Sequence, residues 1–208
     1  GGFSSCACQT RAALTSVAKE HNPGEGGKGK GYGQLRPVAD QNGDLILALP
    51  HGFNYTTFSE TGEAMSDGFA TPAIHDGMCA FLGPDGTIRL IRNHELRNAA
   101  GIFAFGVAGP AATRYDGLAA GGCTTVDYDP RHKRIVRDFI SINGTLVNCS
   151  GGRAYKDAGW ITSEETISGP NNGYGKKHGY NFLVRTEINA PDQAVALTSM
   201  GRFAHEAA

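Results

Sequence analysis

The sequence predicts an all-β fold: antiparallel blade-like sheets of an incomplete β-propeller, behind a mostly irregular N-terminal tail. Three observations carry this expectation. Glycine supplies 30 of the 208 residues while charged residues make up only 19%, a composition suited to short strands and tight turns. Helical apolar periodicity is scarce, and short alternating runs recur between turn residues. Strand pairs also return at roughly 40 to 50 residues, the spacing of propeller blades. A propeller closes with at least about four blades of about four strands. The chain therefore reads as an N-terminal part of a larger propeller, with an open β edge.

Residues 1–31 read as a tail or linker, with one short helix over Arg11–Glu20 followed by NPGEGGKGKG. Such a stretch buries too little apolar area to offset its ordering entropy. Residues 32–208 read as a partial propeller domain. Leu45–Leu49 reads as a buried strand and Asn54–Ser59 as a second one. A hairpin follows, Met78–Leu82 and Thr87–Arg92 about the turn GPDG, because Asp-Gly between apolar runs is a strong hairpin signal. A second hairpin pairs the strand beginning at Gly121 with Arg134–Ser141 about DPRH, and a third unit pairs Gly159–Ser163 with Gly179–Val184. A fourth unit starts at Ala194 and runs into His205-Glu206.

The balance of 19 basic against 20 acidic side chains gives a net charge of -1, so neither a nucleic acid nor an anionic membrane is expected as partner. No apolar run reaches the roughly 18 residues that a spanning helix needs, and no complete export signal is read. The five cysteines, Cys6, Cys8, Cys79, Cys123 and Cys149, form an odd set without CxxC or zinc spacing, so a disulfide framework is not expected. Cys79, Cys123 and Trp160 read as core residues.

Chemistry concentrates in GTLVNCSGGRAYKDAGWITSEET, residues 144–166. Thr145-Leu146-Val147 ends a β-prone run, Asn148-Cys149 sits at its tip, and Ser150-Gly151-Gly152 is expected to turn the chain away. The next strand delivers Ser163, Glu164 and Glu165 at its far end. Neighbouring side chains on a strand face opposite ways, so one of the two glutamates should face a common site. A thiolate suits iron or another transition metal, and carboxylates suit calcium. The expected reading is therefore a mixed-metal centre.

Seven stretches together resemble the PhoX-type alkaline phosphatase family of bacterial secreted proteins: TPAIHDGM, LIRNHE, YDGLAAGGCTT, NCSGG, WITSEET, HGY and MGRFAHEAA. Their order and spacing match from about Leu49 onward. The resemblance implies a propeller whose channel holds iron and calcium and which hydrolyses phosphate monoesters in the periplasm or outside the cell. By the same resemblance Cys149 matches an iron-ligating cysteine and Glu164 a metal-ligand position, while Glu95 and Glu206 match acidic positions reaching the cluster. Asp76, Asn93, Asn148 and Glu165 are further ligand candidates. His75, His94 and His205, each beside an acid, are expected to orient ligands by hydrogen bonding. One position departs, since the family commonly has Cys before the glutamate pair and this chain has Ser163. The alternative function is a non-catalytic binding or structural module, which self-associates or joins a C-terminal half through its open edge.

Overall fold

The computed structural model describes residues 31–97 and 105–208. The expected tail and its short helix therefore lie outside the described residues, apart from Gly31. The chain divides into two compact units between Thr57 and Phe58.

In the first unit β1 (Arg36–Val38) pairs antiparallel with β2 (Leu47–Leu49). The expected buried strand over Leu45–Leu49 is corrected on both counts: only its last three residues pair, and Leu45, Ile46 and Leu47 are 55%, 42% and 45% exposed. Among the described residues of this unit the two-stranded ribbon has no second layer to cover such side chains. Asn54–Ser59 is irregular rather than a strand. The Tyr55 hydroxyl orders this part, accepting from Ile46 N at 2.9 Å and lying 3.0 Å from both Val38 O and Asp44 O.

The second unit carries two antiparallel sheets. One has the order β3 (His75–Leu82), β4 (Ile88–His94), β5 (Gly121–Asp129), β6 (Arg134–Thr145). The other has the order β7 (Asn148–Arg153), β8 (Gly159–Glu164), β9 (Asn181–Arg185). Both expected hairpins form. At the first turn Asp85 and Gly86 take φ of 54° and 78°, the left-handed geometry for which Asp-Gly is suited. At the second, Asp129 Oδ1 accepts from Arg131 N at 2.9 Å. The expected fourth unit reduces to a single bridge between Phe182 and Ala196 and a short 3-10 turn, Thr198–Met200. The described residues thus form an all-β protein with two blade-like sheets, part of a propeller.

Alternation on β4 sets the packing of the unit. Ile91 joins Phe81, Cys123, Phe139 and Ile142 of the first sheet to Trp160, Phe182 and Val184 of the second in one buried cluster. Each fully buried aliphatic or aromatic side chain there contributes about 1.5–3 kcal/mol. Asn93 stitches the same interface: its Oδ1 accepts from Trp160 Nε1 at 2.8 Å, and its Nδ2 donates to Cys149 O and Ser150 O at 2.9 and 2.8 Å. A second cluster, Met65, Ala73, Leu96, Val107, Ala120 and Ile140, is also buried.

Two buried arginines on β4 give a stability contrast. Arg89 forms a two-bond pair with Asp127, both bonds 2.7 Å, and also donates to Ile188 O at 2.9 Å. Arg92, 6% exposed, has Thr124 Oγ1 at 3.4 Å, and its Nε has no partner among the described residues. Burial lowers the Arg92 pKa to about 10, against the opposing pull of Asp138. Arg89→Met should therefore cost about 3–5 kcal/mol by leaving a buried carboxylate unpaired, whereas Arg92→Met should be neutral or stabilising. Urea unfolding of the two variants checks this, and equal destabilisation would contradict it.

Candidate metal centre

The site is assembled from five segments tied by backbone hydrogen bonds. Glu95 N donates to Ile74 O at 3.0 Å, Val147 N to Leu96 O at 2.9 Å, and Glu165 N to Val147 O at 2.9 Å. Ser150 N donates to Glu206 O at 3.0 Å, and His205 N to Glu164 O at 2.9 Å. β3 lies hard against β7, since a Cβ on Gly77 would stand 2.7 Å from Ser150 Cα and 2.8 Å from Cys149 O. These bonds carry two residues in an unfavourable backbone region. Ile74 and Val147, both β-branched, have φ of 50° and 51°, a geometry that costs on the order of 1–3 kcal/mol at each. Each lies two residues before a candidate ligand, Asp76 and Cys149 respectively.

The side chains so gathered are Asp76, Glu95, Cys149 and Glu165. Burial first, and then the nearby Asp76, Glu165 and Glu95, push the Cys149 thiol up to about 12. Glu95 is likewise raised, by burial first and then by Asp76, which it meets carboxyl to carboxyl; Arg97 partly offsets this. Among the described residues no three ligand-type side chains close on one point as they stand. The four are neighbours at electrostatic range, an arrangement of like charges that a multivalent cation would relieve. The donor set, one half-buried thiol and three carboxylates, fits iron through the sulfur and calcium through the oxygens.

Other expected site residues are engaged elsewhere. Glu164, expected as the ligand of its pair, is fully buried; its Oε1 accepts from Leu146 N at 2.8 Å and its Oε2 from Gly179 N at 2.7 Å. Strand alternation thus turns Glu164 inward and leaves Glu165 on the side of Cys149. Asn93 has its amide used by the sheet interface described above. Asn148 is buried, its Oδ1 accepting from Thr145 Oγ1 at 2.6 Å and its Nδ2 donating to Thr162 Oγ1 at 2.9 Å. His94 bonds Ala73 O and Thr124 Oγ1 at 3.0 and 2.9 Å, and His75 bonds Pro72 O at 3.0 Å. His205 lies over Phe203 with ring centroids 3.6 Å apart. None of the three histidines bonds an acid of the group. Glu206 is exposed, and its backbone oxygen reaches Ser150. Ser163 is buried, and its hydroxyl has no partner among the described residues.

The glycines after Cys149 do not turn the chain, because Ser150-Gly151-Gly152 continues β7. They are small for contact instead: a Cβ would meet Ile161 O at 1.9 Å from Gly151 and Ala208 O at 1.9 Å from Gly152. Sequence reasoning also left Asp116 and His178 without a role. The signal was present, since both fall in stretches, YDGLAAGGCTT and HGY, that carry the family resemblance.

Linkage follows from the raised values. A folded-state pKa above the unfolded one gives stability that is complete below the unfolded pKa and is lost as pH rises through the folded pKa. For Glu95 the loss begins near about pH 4.3, and for Cys149 near about 8.5. Calcium should therefore raise the melting temperature of the chelated protein strongly at about pH 8 and little at about pH 4. Identical pH curves with and without calcium would contradict this.

Antiparallel blade-like sheets, with a thiol and carboxylates at the ends of adjoining strands, define an all-β protein of the incomplete-propeller class. The profile of the family described as alkaline phosphatase PhoX matches residues 31–208. The chain belongs to that family. Comparison with curated proteins and with solved structures finds no match. No helix among the described residues is long and apolar enough to cross a membrane.

Proposed function

We propose that this chain forms part of a secreted or periplasmic, metal-dependent phosphatase acting on phosphate monoesters, with Cys149, Glu165, Glu95 and Asp76 binding iron and calcium. One observation supports the reading: a thiol and three carboxylates from separate segments lie at electrostatic range of one another, on segments tied by backbone bonds beside two left-handed β-branched residues. Strained β-branched residues two positions before two candidate ligands support that reading. Family membership supplies the reaction class. Bound cations would polarise a phosphoryl oxygen and activate an oxygen nucleophile.

The chain's own residues supply the rest. Cys149 offers a sulfur donor whose proton must leave before it can bind a metal. Glu165 brings a carboxylate into the electrostatic neighbourhood of that sulfur. Asp76 and Glu95 bring further oxygens from β3 and from the end of β4. Asn93 holds the Cys149 and Ser150 carbonyls, which fixes the direction of the strand that bears the sulfur. Glu206 meets Ser150 N through its backbone oxygen.

Elemental analysis of the purified chain, together with p-nitrophenyl phosphate hydrolysis before and after chelation, tests the proposal. Iron and calcium, with turnover lost on chelation and restored by the two metals, is the expected result. A metal-free, inactive protein that no metal activates would overturn it in favour of a binding or structural module.

A further inference from the structure

We infer that the cleft between β6 and the loop of residues 62–71 is a second binding site, built for a small organic diamine whose ammonium ends meet Asp138 and Glu63. None of its residues belongs to the metal group. The cleft holds about 540 Å³, within the size range of small-molecule sites. Glu63, Ser66, Thr71 and Asp138 line it together with Met65 and Ile135.

Both walls are fixed by the fold itself. The loop closes on itself: Gly62 N donates to Thr71 O at 2.9 Å, Thr71 N to Glu63 O at 2.7 Å and Met65 N to Phe69 O at 2.8 Å. Side chains then tie it to β6, an edge strand of its sheet. Asp138 Oδ1 accepts from Ser66 N and Ser66 Oγ, both at 2.7 Å, and Asp67 Oδ2 accepts from Ile140 N at 2.7 Å. Met65 is buried with Ile140 in the second core cluster. A pre-formed cleft spares a ligand the cost of ordering the loop.

Two buried polar groups of the cleft lack partners that the fold could have given them. Thr71 is 1% exposed, and its hydroxyl has no partner among the described residues. Asp138 is 7% exposed, and both bonds it accepts go to Oδ1, which leaves Oδ2 for a ligand. Arg92 feels the Asp138 charge, but its side chain bonds to Thr124. Buried groups left in this state cost stability until a donor reaches them. Glu63 is exposed and accepts from Glu60 N at 2.9 Å through Oε2. No basic side chain lines the cleft among the described residues.

The lining therefore offers acceptors and asks for donors. An ammonium group brings three N–H donors and the matching charge. Two carboxyl groups, with Met65 and Ile135 for methylenes to lie on, favour a diamine over a bare metal ion, which would leave most of the volume unfilled.

Titration of isotope-labelled protein with putrescine, followed residue by residue by ¹H–¹⁵N NMR, tests this. The wild type should show saturable shifts at the Ser66, Thr71 and Asp138 amides, with a Kd below about 1 mM. Glu63→Gln and Asp138→Asn should each weaken binding about tenfold, the scale of a lost charged hydrogen bond. Thr71→Val removes a hydroxyl that the fold does not use, so it should weaken binding about threefold without loss of stability. The exposed Glu63 and the partnerless Thr71 keep the test open should Asp138→Asn fail to fold. Butanediol, the uncharged analogue, should shift none of these amides. No saturable shift there, equal affinity in the variants, or equal binding of the diol would overturn the inference. Shifts confined to Glu95 and Cys149 would overturn it by placing the diamine at the metal group, and calcium bound at the cleft amides in preference to putrescine would make the cleft a metal site. These outcomes are independent of metal content and turnover, on which the phosphatase reading stands or falls.

Discussion

Cys149→Ser should lose its iron and its phosphatase activity while the sheets stay folded. Sulfur is the one soft donor in the group, and a serine hydroxyl is a far poorer ligand for iron. The fold, by contrast, asks little of that side chain. Cys149 is only half-buried, and its contribution to the sheet contacts is its backbone, whose oxygen accepts from Asn93. Exchanging sulfur for oxygen there should change unfolding free energy by less than about 1 kcal/mol. Turnover should fall by about a hundredfold or more, the scale expected when a metal that stabilises charge is lost. Metal content, circular dichroism and hydrolysis on the same preparation separate the two effects. Equal iron and equal turnover would leave Cys149 an ordinary thiol.

The adjacent glutamates should separate just as sharply, in opposite directions. Glu165→Gln should retain stability and lose metal and turnover, since the carboxylate beside Cys149 is exposed and carries no part of the core. Glu164→Gln should lose about 3–5 kcal/mol of stability, because it disturbs the buried bonds to His178, Leu146, Gly179 and Tyr180. Chemical denaturation and metal analysis on both variants decide the matter. Metal loss in Glu164→Gln with full stability would restore Glu164 as the ligand of the pair.

Much of the fold was legible because its signals are local. Asp-Gly between alternating runs placed the first hairpin, and Asp-Pro placed the second. The site was legible in membership and less so in role. Alternation says that only one of Glu164 and Glu165 can face Cys149, but not which one. That choice depends on the Leu146–Val147 turn and its backbone bonds, which are tertiary. Ser150-Gly151-Gly152 looked like a turn because glycine permits one. In the structure the same small size instead lets Ile161 and Ala208 approach, a reason no single segment reveals. Leu45–Leu49 has the apolarity of a buried strand, yet burial also needs a covering layer, which the described residues of its unit do not supply. His178 was visible only as a motif, since its partners stand 14 and 62 residues away.

An anomalous-difference map recorded at the iron edge on crystals of the protein tests the central claim most directly. The account predicts a peak at bonding distance from Cys149 Sγ, bounded by Glu165, Glu95 and Asp76, with Glu164 still bonded to His178. A map without a peak there from iron-replete crystals, or with its peak ligated by Glu164, would contradict it.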